Sequence, residues 1–86
     1  MRLKDNFLTY SKDNDTYILP PVDSGFTGMI RGNETLGRII AFLSHDTSEE
    51  EITRAMLEEY DAPYETVKAD VKRAVEILRG IGAVDE

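Results

Sequence analysis

The side chains that ordinarily carry covalent or acid–base chemistry are nearly missing from this chain. Its one histidine, His45, stands beside Asp46, and no second histidine and no cysteine exists to complete a metal site or a nucleophile–base pair. It reads as a solvated loop side chain. Asp13-Asn14-Asp15 shares residue types with a calcium loop but lacks the glycine and the distant bidentate glutamate at the required offsets, so it reads as a turn. Gly25, Gly28 and Gly32 are too widely spaced for a phosphate-binding fingerprint; Gly28 and Gly32 instead bracket a short extended segment. Asn33-Glu34-Thr35 has the form of a glycosylation sequon, but with no secretory signal it reads as a helix cap. The sequence therefore nominates no catalytic residue, no metal ligand and no cofactor.

One pattern stands above this background. With Val67 set at zero and about 100° per residue, Lys68, Lys72 and Arg79 fall at about 100°, 140° and 120°, a narrow basic stripe beside Val71 and Val75. An apolar seam flanked by a basic ridge suits a groove for a partly acidic peptide. The solvated flank of an ordinary amphipathic helix gives the same pattern.

The elements that must hold such a stripe are legible. Asn33 is placed to cap a helix whose Leu36, Ile39, Ile40 and Leu43 recur at helical spacing. Ser48 and Glu51 have capping-box spacing, and Glu49 and Glu50 put negative charge at the positive end of the next helix, whose buried face is Ile52, Ala55, Met56 and Tyr60. Pro63 suits the first turn of the longest helix; Val67, Val71, Ala74, Val75, Leu78 and Ile81 line one face of it, and Gly80 or Gly82 ends it. Upstream, Phe7-Leu8-Thr9-Tyr10 and Thr16-Tyr17-Ile18-Leu19 are β-prone runs around the polar cluster Ser11-Lys12-Asp13-Asn14-Asp15, which reads as a hairpin. Pro20-Pro21 stops the second run, residues 22–28 form a loop, and Met29-Ile30-Arg31 is a third, short strand. The expected bounds are strands at about 7–11, 16–20 and 28–31 and helices at about 34–44, 48–60 and 63–80, all within one domain spanning residues 1–86. The order β-β-β-α-α-α makes an α+β domain, winged-helix-like, with three short antiparallel N-terminal strands followed by three helices.

Composition narrows the function classes. Eighty-six residues with 41% hydrophobic content suit one small domain with a thin core. The apolar runs are too short to span a bilayer and the N-terminus lacks the apolar core of a signal peptide, so the expectation is a cytoplasmic protein without membrane contact. Seventeen acids against ten bases give a net charge of −7, which repels a polyanion and disfavours nucleic acid.

Taken in order, several segments resemble the PqqD-like family, the RiPP recognition elements: Leu19-Pro20, Asn33-Glu34-Thr35, Ile39-Ile40, Thr47-Ser48-Glu49-Glu50-Glu51-Ile52, Glu58-Glu59-Tyr60-Asp61, Asp70-Val71 and Leu78-Arg79-Gly80-Ile81-Gly82. Each is weak alone; their order and spacing over residues 7–84 carry the resemblance. It implies a non-catalytic peptide-binding adaptor that takes the leader segment of a ribosomally made precursor peptide as an added strand and presents it to a modifying enzyme, often a radical SAM enzyme. On this chain the resemblance implies a binding edge at Gly28, Met29, Ile30 and Arg31 and a groove wall at Lys68, Val71, Lys72 and Val75. An open edge also invites association, so a monomer or a weak or swapped dimer is expected.

Two other classes compete with that reading. A winged-helix DNA-binding regulator needs a basic recognition helix, whereas the last helix opens Pro63-Tyr64-Glu65-Thr66. A small enzyme needs a constellation that the residue inventory does not supply.

Overall fold

A computed structural model describes residues 1–25 and 28–86. In chain order the elements are β1 (Arg2–Leu3), β2 (Leu8–Lys12), β3 (Asp15–Leu19), a 3-10 turn (Val22–Ser24), β4 (Ile30–Gly32), α1 (Glu34–Phe42), α2 (Glu49–Glu59), α3 (Tyr64–Gly80) and β5 (Val84–Asp85). The three strands and three helices read from sequence are present, in the α+β, winged-helix-like order. Part of the loop expected over residues 22–28 lies outside the described residues.

The hairpin forms where the polar cluster places it, with a tighter turn than the composition suggested. β2 and β3 pair antiparallel through Lys12↔Asp15, and only Asp13 and Asn14 make the turn, with φ of 53° and 68°. Two consecutive left-handed residues match the right-handed twist of a hairpin, and Asp and Asn tolerate that region better than other side chains. β4 pairs with the other side of β3 through Tyr17↔Arg31 and Ile18↔Ile30. Alternation then sends Thr16 and Ile18 into the core, 2% and 0% exposed. Tyr17 points outward and stacks on Tyr10 with ring centroids 4.9 Å apart.

The helices begin and end on local chemistry. Asn33 caps α1, its side-chain oxygen accepting from the Leu36 amide at 2.9 Å. Ser48 caps α2, its hydroxyl oxygen accepting from the Glu51 amide at 3.2 Å and donating to the Glu51 carboxylate at 3.3 Å. Pro63 sits one position earlier than expected, as the cap of α3, and its carbonyl accepts from Thr66 and Val67. Of the two candidate stop residues, Gly82 is the one used. It adopts φ 72° while its amide donates to the Arg79 carbonyl and the Ala83 amide donates to the Leu78 carbonyl, a Schellman termination.

Leu36, Ile39, Ile40 and Leu43 of the first helical segment, Ile52 and Met56 of α2, and Val67, Val71, Ala74, Val75 and Leu78 of α3 converge with Ile18 and Phe7 in one core. Ala55, Tyr60 and Ile81 are only half-buried. Thr53 takes a core position that apolar periodicity does not mark, its hydroxyl satisfied by donation to the Glu49 carbonyl at 2.7 Å. The expected strand set also lacks β1 and β5, which pair antiparallel through Arg2↔Asp85 and Leu3↔Val84. Two-residue strands carry no readable periodicity, and this pair is held by its surroundings, with the Leu3 amide donating to the Leu43 carbonyl and the Lys4 amide to the Ala83 carbonyl.

α1 lies close on the sheet because Gly37 has no side chain. A Cβ built there would stand 2.3 Å from the hydroxyl oxygen of buried Thr16, a β-branched residue with a stiff χ1. Gly37→Ala is expected to lower stability by about 1–2 kcal/mol, overpacking outweighing a helix-propensity gain of ~1 kcal/mol. In a Thr16→Ala background the same change should be far milder. Urea midpoints of the four chains in this cycle measure the coupling, and equal penalties in both backgrounds would show that the close approach is not the cause.

Candidate functional site

Among the described residues, the strand order β2-β3-β4 leaves two outer edges without a strand on them. The two differ in what lies alongside. Near β2 the cleft lies between the β2–β3 turn and α1 and is polar, with Ser11, Lys12, Asp13, Asp15, Glu34 and Arg38 in its walls. The groove by β4 encloses about 330 Å³ over an apolar floor of Ile30, Leu36, Ile39, Ala74 and Ile77, with Arg31, Asp70 and Arg73 at its margins. A free edge offers unpaired backbone N–H and C=O groups to an extended chain, and an apolar channel beside it receives alternate side chains. Among the described residues the β4 edge has both. Ile77 is 45% exposed there, an aliphatic side chain with water on one side of it.

Local sequence explains this geometry. Ile30 lies across from buried Ile18 and therefore turns inward over the groove. At Gly32 a Cβ would fall 2.2 Å from a methyl carbon of Leu36, so Leu36 fills the space a side chain would occupy and continues the floor. Asn33 then starts α1 at once, beneath the edge. The helical wall is the α3 face carrying Asp70, Arg73, Ala74 and Ile77.

Of the residues expected on the edge, Ile30 and Arg31 belong to β4 and line the groove. Gly28, with φ 83°, and exposed Met29 precede the strand; Met29 turns outward, where its sulfur accepts from the Tyr10 hydroxyl at 3.5 Å. The expected groove wall needs correction. Val71 and Val75 are fully buried and support the wall from inside the core. Lys68 and Lys72 lie roughly 100–180° round the helix from Asp70, Arg73 and Ile77, across the core stripe. Their flank faces α2: the Lys68 ammonium sits 5.8 Å from the Tyr64 ring centroid, and Arg79 pairs with Glu86 at 2.7 Å and Glu49 at 3.7 Å. Periodicity draws the stripe, but it does not say on which side of the stripe the sheet lies. Asp70, Arg73 and Ile77 escape a reading by period for that reason. An isoleucine standing off the core stripe, about 80° round the helix from Val67, is the one signal the sequence offers.

Among the described residues no group of three His, Cys, Asp or Glu side chains converges to hold a metal ion, and no helix is long and apolar enough to cross a membrane.

The fold and this edge define a winged-helix-like α+β domain whose outer strand turns a free edge toward its last helix. The sequence model of the family described as Coenzyme PQQ synthesis protein D (PqqD) matches residues 16–84, and the chain belongs to that family. The solved structure of TbiB1 in complex with the TbiA(beta) leader peptide has the same fold, with a TM-score of 0.75 over 99% of this chain and 100% of that one at 22% identity. No curated protein matches the sequence.

The flank away from the groove has its own closed electrostatics. Glu50 accepts from the Tyr64 hydroxyl at 3.0 and 3.3 Å and from Arg54 at 3.0 Å, and these bonds, that from Tyr64 foremost, hold its carboxyl below the usual range. The same bond favours the protonated phenol, so Tyr64 is raised above the ordinary tyrosine value. Glu50→Gln is expected to lower the Tyr64 midpoint in an ultraviolet titration compared with the unmodified chain; an unmoved midpoint would mean the pair does not persist in solution.

Proposed function

We propose that this chain is a non-catalytic adaptor that binds the leader segment of a ribosomally made precursor peptide by strand addition to β4. It then presents the remainder of the precursor to a modifying enzyme, of the radical SAM class in the reading drawn from the family resemblance. The observation that carries this is the unpaired outer edge of β4 lying directly over an apolar groove walled by α3. Family membership supports it, as does a likeness of fold to TbiB1, which was solved holding a leader peptide. In this reading Gly28, Met29, Ile30 and Arg31 meet the incoming backbone, Ala74 and Ile77 take its inward side chains, and Val71 and Val75 back the wall.

The DNA-binding alternative fares worse. The outward face of α3 interleaves Glu65 and Glu76 with Lys72 and Arg73, and the chain carries −7 overall, so phosphates meet no continuous basic surface.

Ordering a flexible leader opposes binding by ~2–5 kcal/mol, which favours a dissociation constant around micromolar over picomolar. The test is an amide-shift titration of the isotope-labelled chain with the precursor peptide encoded beside its gene. Shifts are expected at residues 28–32 and 70–77. Methylating single backbone nitrogens of the leader should weaken binding at every second position, because only alternate amides of an added strand face β4. Shifts confined to α2 and the β2–β3 turn, or a leader indifferent to methylation, would overturn strand addition at this edge.

A further inference from the structure

The groove beside β4 differs in charge from the chain around it. Along the β4 edge stand two guanidiniums, Arg31 on the outer face of the strand and Arg73 at the groove margin, each matched by one carboxylate, Asp15 and Asp70, so the edge is locally neutral whereas the whole chain is at −7. Arg31 stands on the sheet side with 68% of its side chain exposed and reaches Asp15, on β3 and outside the groove lining, at 2.7 Å. Arg73 stands on the helix side, 70% exposed and 3.4 Å from Asp70. A guanidinium has five N–H donors, and each of these two makes one side-chain hydrogen bond among the described residues. Both therefore retain donors for an incoming carboxylate.

The pleat fixes where such a carboxylate sits. Ile30 and Gly32 oppose buried Ile18 and Thr16 and face inward, while Arg31 opposes Tyr17 and faces outward with Met29. A strand added to β4 continues that alternation. Its inward side chains rest over Leu36, Ile39, Ala74 and Ile77 and pass Arg73, and its outward ones stand beside Met29 and Arg31.

On the reading of β4 as a peptide edge, we infer the class of segment this groove selects: an extended peptide with one branched or aromatic anchor turned inward and carboxylates close to it in the same strand. One carboxylate is outward, against Arg31, and one is on the helix side, against Arg73. The apolar anchor supplies affinity. The two arginines at the rim act on encounter and on choice, repelling basic segments and drawing acidic ones toward a chain whose overall charge would turn them away. The basic stripe of Lys68 and Lys72 has no part in this, because it lies on the far flank of α3.

A display selection of short randomised segments on the full chain tests the inference and does not require the natural peptide. The enriched pool is expected to place Asp or Glu next to an aliphatic or aromatic residue. Repeating the selection on the Arg31→Glu, Arg73→Glu double variant should keep the apolar anchor and replace the acids by Lys or Arg. For one selected peptide, the double reversal should weaken binding on the order of tenfold at low salt, mostly through association rate, and less as salt rises. Lys68→Glu with Lys72→Glu should leave it within about twofold, as expected for charges outside the contact. Both arginines are surface side chains, and Arg31→Gln with Arg73→Gln repeats the test without introducing repulsion. An apolar consensus indifferent to charge reversal would overturn the inference and leave strand addition standing. A chain that enriches no segment at all would overturn the peptide-binding reading, and the inference with it.

Discussion

Val71, Val75 and Leu78 have no exposed surface, and neither have Ile18 on the sheet, Ile39 on α1 or, to within 1%, Ile52 on α2. These side chains interlock from four elements, so α3 has one setting about its own axis. Turning it by one residue, about 100°, would bring charged neighbours into an interior where an unpaired charge is strongly disfavoured. That setting decides which flank of the helix meets β4 and which meets α2. The groove is thus a by-product of core packing: Asp70, Arg73 and Ile77 look toward the sheet because Val71 and Val75 cannot look anywhere else.

The distribution of charge follows from the same geometry. The acids of α2 are largely engaged by the chain's own cations. Glu49 meets Arg79, Glu50 meets Arg54 and Tyr64, and Glu59 is bonded by the Arg38 guanidinium. Exposed pairs of this kind add little to stability, each typically ~0–1 kcal/mol. Their effect is on the surface left over. They satisfy charge on the α2 side of the molecule, while on the β4 side Arg31 and Arg73 each spend one side-chain bond, on Asp15 and Asp70, and keep further N–H donors.

Much of this is written in the sequence, for local reasons. Asn33, Ser48 and Gly82 act through atoms within a few residues of themselves, and the apolar stripes of the three helices mark a face by period alone. What stays hidden depends on where distant segments lie. Lys68 and Arg73 are both charged, exposed and on flanks of one stripe; only the position of β4 separates them. The placing of Thr53 in the core rests on a hydroxyl finding a carbonyl one turn away, which hydropathy counts as polar. The choice of Gly82 over Gly80 needs the bond from Ala83 back to Leu78.

The pairing of β1 with β5 has a consequence for the order in which the domain assembles. Arg2 against Asp85 closes a loop of almost the entire chain, and the entropy lost in such a closure grows with the logarithm of its length. Two residues on each side cannot offset that loss alone. The ends therefore join only after Leu43 and Ala83 are already in place to receive Leu3 and Lys4. The β2–β3 hairpin and its neighbour β4, by contrast, close over short distances. By the same entropy, the sheet that carries the open β4 edge needs no help from the clasp between β1 and β5, which depends on the rest of the fold around it.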